Sequence, residues 1–145
     1  MILLKNGKLC SGSADNHIII WDWKSGKYLS RIKAHNEWVR SICQFNEHII
    51  LTGGDDKKIK IFDMNLGKFD ELKGHKHSIR TLCKIDDNFF ASGSFDNTIK
   101  IWDFDKKKCI KTLRGHQSNV ICIIKYNDKL ISCSNDRTIK IWEEI

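Results

Sequence analysis

Proline is missing from all 145 residues, and there are nine glycines. Without proline there is no collagen-like or proline-rich linker segment, and chain reversals fall to glycine, asparagine and aspartate. No apolar run approaches the roughly 20 residues that span a bilayer, Ile18-Ile19-Ile20 being the longest aliphatic island before a charge, and no membrane partner is expected. The opening Met1-Ile2-Leu3-Leu4-Lys5 is too short, and wrongly flanked, for a secretory signal. Cys-x-x-Cys pairs are also missing. Of Cys10, Cys43, Cys83, Cys109, Cys122 and Cys133, the closest two are separated by ten residues, so zinc-ligand spacing is not there and no metal or cofactor is expected. Each lies in an apolar strand-like run, as in Ser41-Ile42-Cys43 or Thr81-Leu82-Cys83, and should behave as a buried free thiol. Free thiols point to a reducing compartment, cytoplasm or nucleus.

What is present is a soluble composition, 41% hydrophobic and 30% charged, with a net charge of +7. The basic side is 20 lysines against 5 arginines, scattered along the chain and densest at Lys57-Lys58-Ile59-Lys60 and Lys106-Lys107-Lys108. Lysine lacks the planar fork that reads phosphates and bases bidentately, so the excess reads first as a solvated surface rather than a nucleic-acid site.

Self-similarity dominates the chain. Ser92-Gly93-Ser94-Phe95-Asp96-Asn97-Thr98-Ile99-Lys100-Ile101-Trp102-Asp103 recurs as Ser132-Cys133-Ser134-Asn135-Asp136-Arg137-Thr138-Ile139-Lys140-Ile141-Trp142-Glu143, again at residues 11–22, and more divergently at 52–63. The closing aromatic falls at 21, 62, 102 and 142, at intervals of 41, 40 and 40. A small residue followed by histidine falls at Ala34-His35, Gly74-His75 and Gly115-His116, at intervals of 40 and 41. Two landmarks with one period define repeats at approximately 1–33, 34–73, 74–114 and 115–145.

A Gly-His opening and a Trp-Asp closing about 40 residues apart resemble the WD-repeat family of β-propellers. The resemblance implies an all-β fold of blades with four antiparallel strands each. The residues read the same way: runs of four to seven rich in Ile, Val, Phe and Trp are separated by Gly, Asn and Asp turns. In the third repeat the strands are expected at 79–84, 89–94, 98–103 and 108–113, with Ile99 and Ile101 on one face of the third strand and Trp102 on the other. One such sheet cannot bury both faces, so neighbouring sheets must stack.

A hydroxyl, an aspartate four residues on and an aromatic six beyond that recur in every repeat. With the histidine they suggest a hydrolase set, but a catalytic triad occurs once per site and this set is repeated. It reads instead as a buried hydrogen-bond chain from indole N–H through hydroxyl and imidazole to carboxylate. The resemblance assigns to it Thr52, His35 and Asp56; Ser92, His75, Asp96 and Trp102; and Ser132, His116, Asp136 and Trp142. Phe62 stands in for tryptophan in the second repeat. The first repeat keeps Ser11, Asp15 and Trp21 without the network histidine, which leaves a buried Asp15 poorly satisfied.

No nucleophile, base and oxyanion set stands outside the repeated network, and the chain is expected to be a non-enzymatic scaffold. Gly53-Gly54 and Gly93 sit inside strands, not in a phosphate loop, while His48 and His77 read as solvated loop residues. The resemblance places partner binding on the propeller's narrow top face. The corresponding positions are Trp38, Arg40 and Asp55; Ser78, Arg80 and Phe95; Asn119, Ile121 and Asn135; and Ala14. Protein or peptide partners are expected there, since Trp and Arg are the residues enriched at hot spots. Ile20-Trp21-Asp22-Trp23-Lys24 resembles the Trp-Asp-x-basic box that docks some family members on cullin ubiquitin ligases, with Lys in place of the preferred Arg. Substrate recognition in such an assembly and RNA-associated scaffolding are the alternative functions.

About 40 residues per blade makes 145 residues roughly three and a half blades, at the floor of the 4–8 that close a ring. The expectation is an open propeller, either part of a longer repeat protein or paired with a second copy. Its first repeat has only the end of an inner strand. Amide hydrogen exchange should therefore be faster across residues 1–13 than across 79–103, and equal protection of the two segments refutes this.

Overall fold

The computed structural model describes residues 1–143, and every regular element in them is a strand. Blade 1 comprises β1 (Ile2–Leu3), β2 (Leu9–Gly12), β3 (His17–Asp22) and β4 (Lys27–Lys33). Blade 2 holds β5 (Val39–Gln44), β6 (Ile49–Gly54), β7 (Lys58–Asp63) and β8 (Lys68–Lys73). Blade 3 holds β9 (Ile79–Lys84), β10 (Phe89–Ser94), β11 (Ile99–Asp103) and β12 (Lys108–Leu113). Blade 4 has β13 (Val120–Tyr126), β14 (Lys129–Ser134) and β15 (Ile139–Trp142). All sheets are antiparallel meanders in sequence order, three of four strands and one of three. The four sheets stack one on the next, and none of them is closed on itself.

Local chemistry fixes the hairpins. The turn between the second and third strand of each blade puts one residue in the left-handed region, at Asn16 (φ 74°), Lys57 (φ 67°), Asn97 (φ 66°) and Arg137 (φ 66°). Asparagine tolerates that conformation, and the preceding aspartate supports it: Asp96 Oδ1 accepts from the Thr98 N–H at 3.0 Å, and the Asp96 N–H donates to Ser94 Oγ at 3.0 Å. Equivalent bonds reach Lys58 from Asp56 and Thr138 from Asp136.

Strand alternation then divides each third strand between two neighbours. Ile18 and Ile20 of blade 1 pack with Val39, Ile50 and Phe62 of blade 2. Ile59 and Ile61 of blade 2 pack with Ile79, Leu82, Phe90 and Trp102 of blade 3. Ile99 and Ile101 of blade 3 pack with Val120, Ile123 and Leu130 of blade 4. The core is therefore three inter-blade layers, each fully buried large side chain contributing about 1.5–3 kcal/mol. Outside these layers the terminal faces are open, with Ile139 72% and Ile141 61% exposed in blade 4 and Leu3 63% exposed in blade 1.

The cysteines divide along the same lines. Cys10 is buried and Cys43, Cys83 and Cys133 are half-buried, but Cys109 and Cys122 are exposed. The expectation of six buried thiols fails at those two because β12 is an outer strand and blade 4 is uncovered on one side.

Layer spacing depends on a glycine in the second strand. A Cβ on Gly93 would lie 2.7 Å from Thr81 Cγ2 and 2.7 Å from Val120 Cγ1, and one on Gly53 would lie 2.6 Å from Ile79 Cγ2. Both sites admit only hydrogen at the observed separation. Gly93→Ala should cost about 1–3 kcal/mol by forcing blades 3 and 4 apart, read as a lower urea midpoint. An unchanged midpoint removes the close-approach argument.

Candidate protein-interaction face

Two sets of repeated polar residues are built on this scaffold. In blade 3 the Trp102 indole N–H donates to Ser92 Oγ at 2.7 Å, Ser92 Oγ lies 2.7 Å from His75 Nε2, and His75 Nδ1 lies 2.8 Å from Asp96 Oδ2. With its proton on Nδ1, the imidazole donates to the carboxylate and accepts the serine hydroxyl, so each group in the chain is used. Asp96 also accepts the Lys76 N–H at 2.8 Å, tying the loop before β9 to the turn after β10. Blade 4 repeats the chain through Trp142, Ser132, His116 and Asp136 at 2.8, 2.8 and 2.7 Å. Blade 2 has Thr52, His35 and Asp56 at 2.8 and 2.8 Å, and Phe62 packs its ring against Phe69 instead of donating. The three imidazoles are buried.

Blade 1 departs from the expectation. Trp21 donates to Ser11 Oγ at 2.8 Å, but Asp15 is not buried: its side chain is 44% exposed and accepts Arg31 at 3.0 Å and the His17 N–H at 3.1 Å. With no imidazole to draw it inward, the carboxylate turns to solvent and to the nearest guanidinium, which avoids the unsatisfied buried charge.

Burial pushes the Asp96 carboxyl up, but hydrogen bonds from His75, Thr98 and the Lys76 N–H outweigh it and hold the group well below the carboxylate range. Asp136 and Asp56 are lowered for the same balance of reasons.

The second set is the one placed on the top face by resemblance, and its members in blades 2 and 3 are brought together. The loop residue Trp38 is 49% exposed, and the Arg40 guanidinium lies 4.3 Å from the centre of its ring. Arg40 Nε donates to both Asp55 oxygens at 2.8 and 2.9 Å, while the Asp55 N–H donates to the Trp38 carbonyl at 3.0 Å. In blade 3 the Phe95 N–H donates to the Ser78 carbonyl at 3.0 Å, and the Arg80 guanidinium lies 5.1 Å from the Phe95 ring centre. The Arg40 guanidinium holds the Asp55 carboxyl below the ordinary value against a smaller opposing effect of burial, helped by the Ser78 hydroxyl and the charge of Arg80. Arg80 Nε is buried without a hydrogen-bond partner.

Ser78 itself is buried at 7% exposure, so it offers no contact to a partner. In blade 4 the Asn135 N–H donates to the Asn119 carbonyl at 3.0 Å, with Asn119 and Ile121 half-buried and Asn135 exposed; Ala14 is exposed in blade 1. His77, read from sequence as a solvated loop residue, lies with its ring centre 5.8 Å from Phe95 and its carbonyl accepting from Ser94 Oγ. Its position just before β9, level with Glu37 and Ser118 in the repeat alignment, was the available signal.

Four of the six lysines in the basic runs sit in ion pairs. Lys58, Lys60 and Lys73 converge on Glu71, holding its carboxyl down at about 2, while Lys106 pairs with Asp103 and Lys107 with Asp70.

The buried aspartates carry a pH signature. Their folded pKa values are depressed, so their stabilisation is fully present above the unfolded carboxylate value near 4 and drains away as pH falls below it. Asp96→Asn should lower stability at pH 7 by about 1–3 kcal/mol and flatten the acid limb of the stability profile. An acid limb unchanged in the variant removes Asp96 from the titrating set.

The family model described as "WD domain, G-beta repeat" matches residues 3–22, 26–63, 68–103 and 107–143. Among curated relatives, mitochondrial division protein 1 of Pyricularia oryzae is 25% identical over 94% of this chain and 20% of its own length. The protein of the same name from Kluyveromyces lactis is 28% identical over 94% of the chain and 16% of its own. The DENN domain and WD repeat-containing protein SCD1 of Arabidopsis thaliana is 34% identical over 44% of the chain and 5% of its own. The chain thus spans no more than a fifth of the length of these relatives. With four matched repeats, four meandering sheets and the indole–hydroxyl–imidazole–carboxylate chain, this chain belongs to the WD domain, G-beta repeat family.

Proposed function

We propose that the chain is a non-enzymatic scaffold that holds a protein or peptide partner across the face built by Trp38, Arg40, Asp55, Arg80 and Phe95. WD repeats are generally protein-interaction scaffolds and generally non-catalytic, which supports the coarse part of this reading. The observation that carries the finer part is the pair of cation–aromatic contacts, one in each of two adjacent blades, with Arg40 further oriented by Asp55. An arginine stacked on an aromatic ring and oriented by a bidentate carboxylate is pre-ordered, so a partner meets a rigid, partly apolar surface at little entropic cost. Trp38 supplies exposed aromatic area, and the Arg80 guanidinium lies over the Phe95 ring beside it in the next blade.

Two other readings have less support. The Trp-Asp-x-basic box is folded into a tight turn: Asp22 accepts the Lys24 N–H at 3.1 Å and Ser25 Oγ at 2.8 Å, and the Trp23 indole donates to the Gly7 carbonyl at 3.0 Å. Its polar groups are satisfied within blade 1, which weakens the ubiquitin-ligase reading. RNA association is weakened by the ion pairs that hold Lys58, Lys60, Lys106 and Lys107 of the basic runs.

Panning a displayed random-peptide library against the chain is expected to enrich ligands whose binding falls roughly tenfold or more in Trp38→Ala and Arg80→Ala, with urea midpoints close to wild type. Enriched peptides that bind both variants as well as wild type, or variants that lose their fold, overturn the assignment of this face.

A further inference from the structure

Blades 2 and 3 carry cations at the same place on their outer strands, and only blade 2 supplies an acid on the facing strand. There Lys58 and Lys60 on β7 and Lys73 at the end of β8 all reach Glu71, at 3.0, 2.8 and 3.2 Å. Together they hold its carboxyl down at about 2. Glu71 stands directly across the ladder from Lys60. In blade 3 the equivalent pair is Lys100 and Thr112. A neutral hydroxyl thus takes the carboxylate's position, and the Lys100 ammonium donates to it at 2.9 Å.

The cations persist in blade 3 where the acid does not. Lys100 and Arg114 are level with Lys60 and Lys73 in the repeat, and Thr98 is level with Lys58. Lys76, in the loop before β9, supplies the third cation. These three line one cleft of about 190 Å³ with Gly74, Asp96 and Thr98. Lys76 and Arg114 are exposed, and Lys100 is half-buried. The ion pairs of blade 3 use Lys84, Lys106 and Lys107, and among the described residues no carboxylate pairs with Lys76, Lys100 or Arg114. Asp96, the acid that lines the cleft, is already engaged: its oxygens accept from His75 Nδ1, the Thr98 hydroxyl and the N–H groups of Lys76 and Thr98.

Charge separates the two sites. Blade 2 sets three cations against Glu71 and its turn aspartate Asp56, whereas blade 3 sets three against Asp96 alone. One further carboxylate gives blade 3 the balance that blade 2 has built in. A cation partly removed from water gains from a counter-charge that takes up its donors, and an arginine can hold a carboxylate through two parallel hydrogen bonds. Blade 3 packs against blade 2 on one side and blade 4 on the other, so the cleft belongs to a blade covered on both faces.

We propose that this cleft receives an aspartate or glutamate side chain of the partner, the kind of group that blade 2 supplies from within as Glu71; the site rests on the scaffold role proposed for the chain. Phe95 of the proposed face and Asp96 of the cleft are consecutive in one turn. The bond from the Lys76 N–H to Asp96 fixes the loop that leads to Ser78, whose carbonyl accepts the Phe95 N–H. A segment lying on Phe95 therefore reaches the cleft within a few residues and brings its acid to Lys76, Lys100 and Arg114.

Peptides panned from a displayed random library on the whole chain test the site. The expected ligands carry an Asp or Glu whose exchange for Asn or Gln weakens binding to wild type roughly tenfold. Arg114→Ala and Thr112→Glu should each weaken the acidic peptide and bring the acidic and amide forms to within about twofold of one another. Thr112→Glu does so by placing a carboxylate where blade 2 has Glu71. Peptides that lose affinity in Trp38→Ala and Arg80→Ala but bind Arg114→Ala and Thr112→Glu like wild type overturn the carboxylate site and leave the face intact. So do peptides whose acid is dispensable, or an acid effect undiminished in Arg114→Ala and Thr112→Glu. Peptides indifferent to all four substitutions overturn the face and the site together. Arg114 is exposed, and its alanine variant decides the outcome if Thr112→Glu fails to fold.

Discussion

A four-stranded antiparallel sheet with apolar side chains on both faces cannot stand alone in water, and the structure follows from the way each sheet is covered by the next. Alternation sends Ile59 and Ile61 of blade 2 to one neighbour and Phe62 to the other, so every interior blade is bound on both sides. How closely two blades approach is decided at one glycine, where the following blade's Ile79 or Val120 sits almost against the backbone. That contact sets the depth of each core layer, and hence which parts of neighbouring blades come within reach of one another.

The buried polar chain works within this stack. In blades 3 and 4 indole, hydroxyl, imidazole and carboxylate span the blade from its third strand to the loop before its first, and each donor finds an acceptor inside the sheet. A half-made chain of this kind would be costly in the interior. Blade 1 shows how the cost is avoided: without the histidine, Asp15 leaves the interior and pairs with Arg31 at the surface. Blade 2 shows a milder version, in which Phe62 gives up the indole donor and gains ring packing with Phe69.

The proposed interaction face inherits its order from both. The turn aspartates and the loops before β5 and β9 are pinned by the buried network. The residues beside them, Trp38 with Arg40 and Phe95 with Arg80, are therefore presented from rigid positions. Asp55 orients Arg40 within blade 2, and the charge of Arg80 in blade 3 adds to the field that holds its carboxyl low.

Much of this was legible in the residues themselves. The 40-residue period, the four-strand rhythm and the network members at offsets of four and six are local properties, and local hydrogen bonding and alternation translate them directly into hairpins. In the third repeat the observed β9, β10 and β12 have the expected bounds, and β11 begins one residue late, at Ile99. What the chain order could not convey was which side of a blade meets a neighbour. Asp15 becomes a surface residue, Ser78 a buried one and His77 a neighbour of Phe95 only through contacts between blades or across strands. Those outcomes depend on distances between residues far apart in the chain, and packing in three dimensions alone sets them.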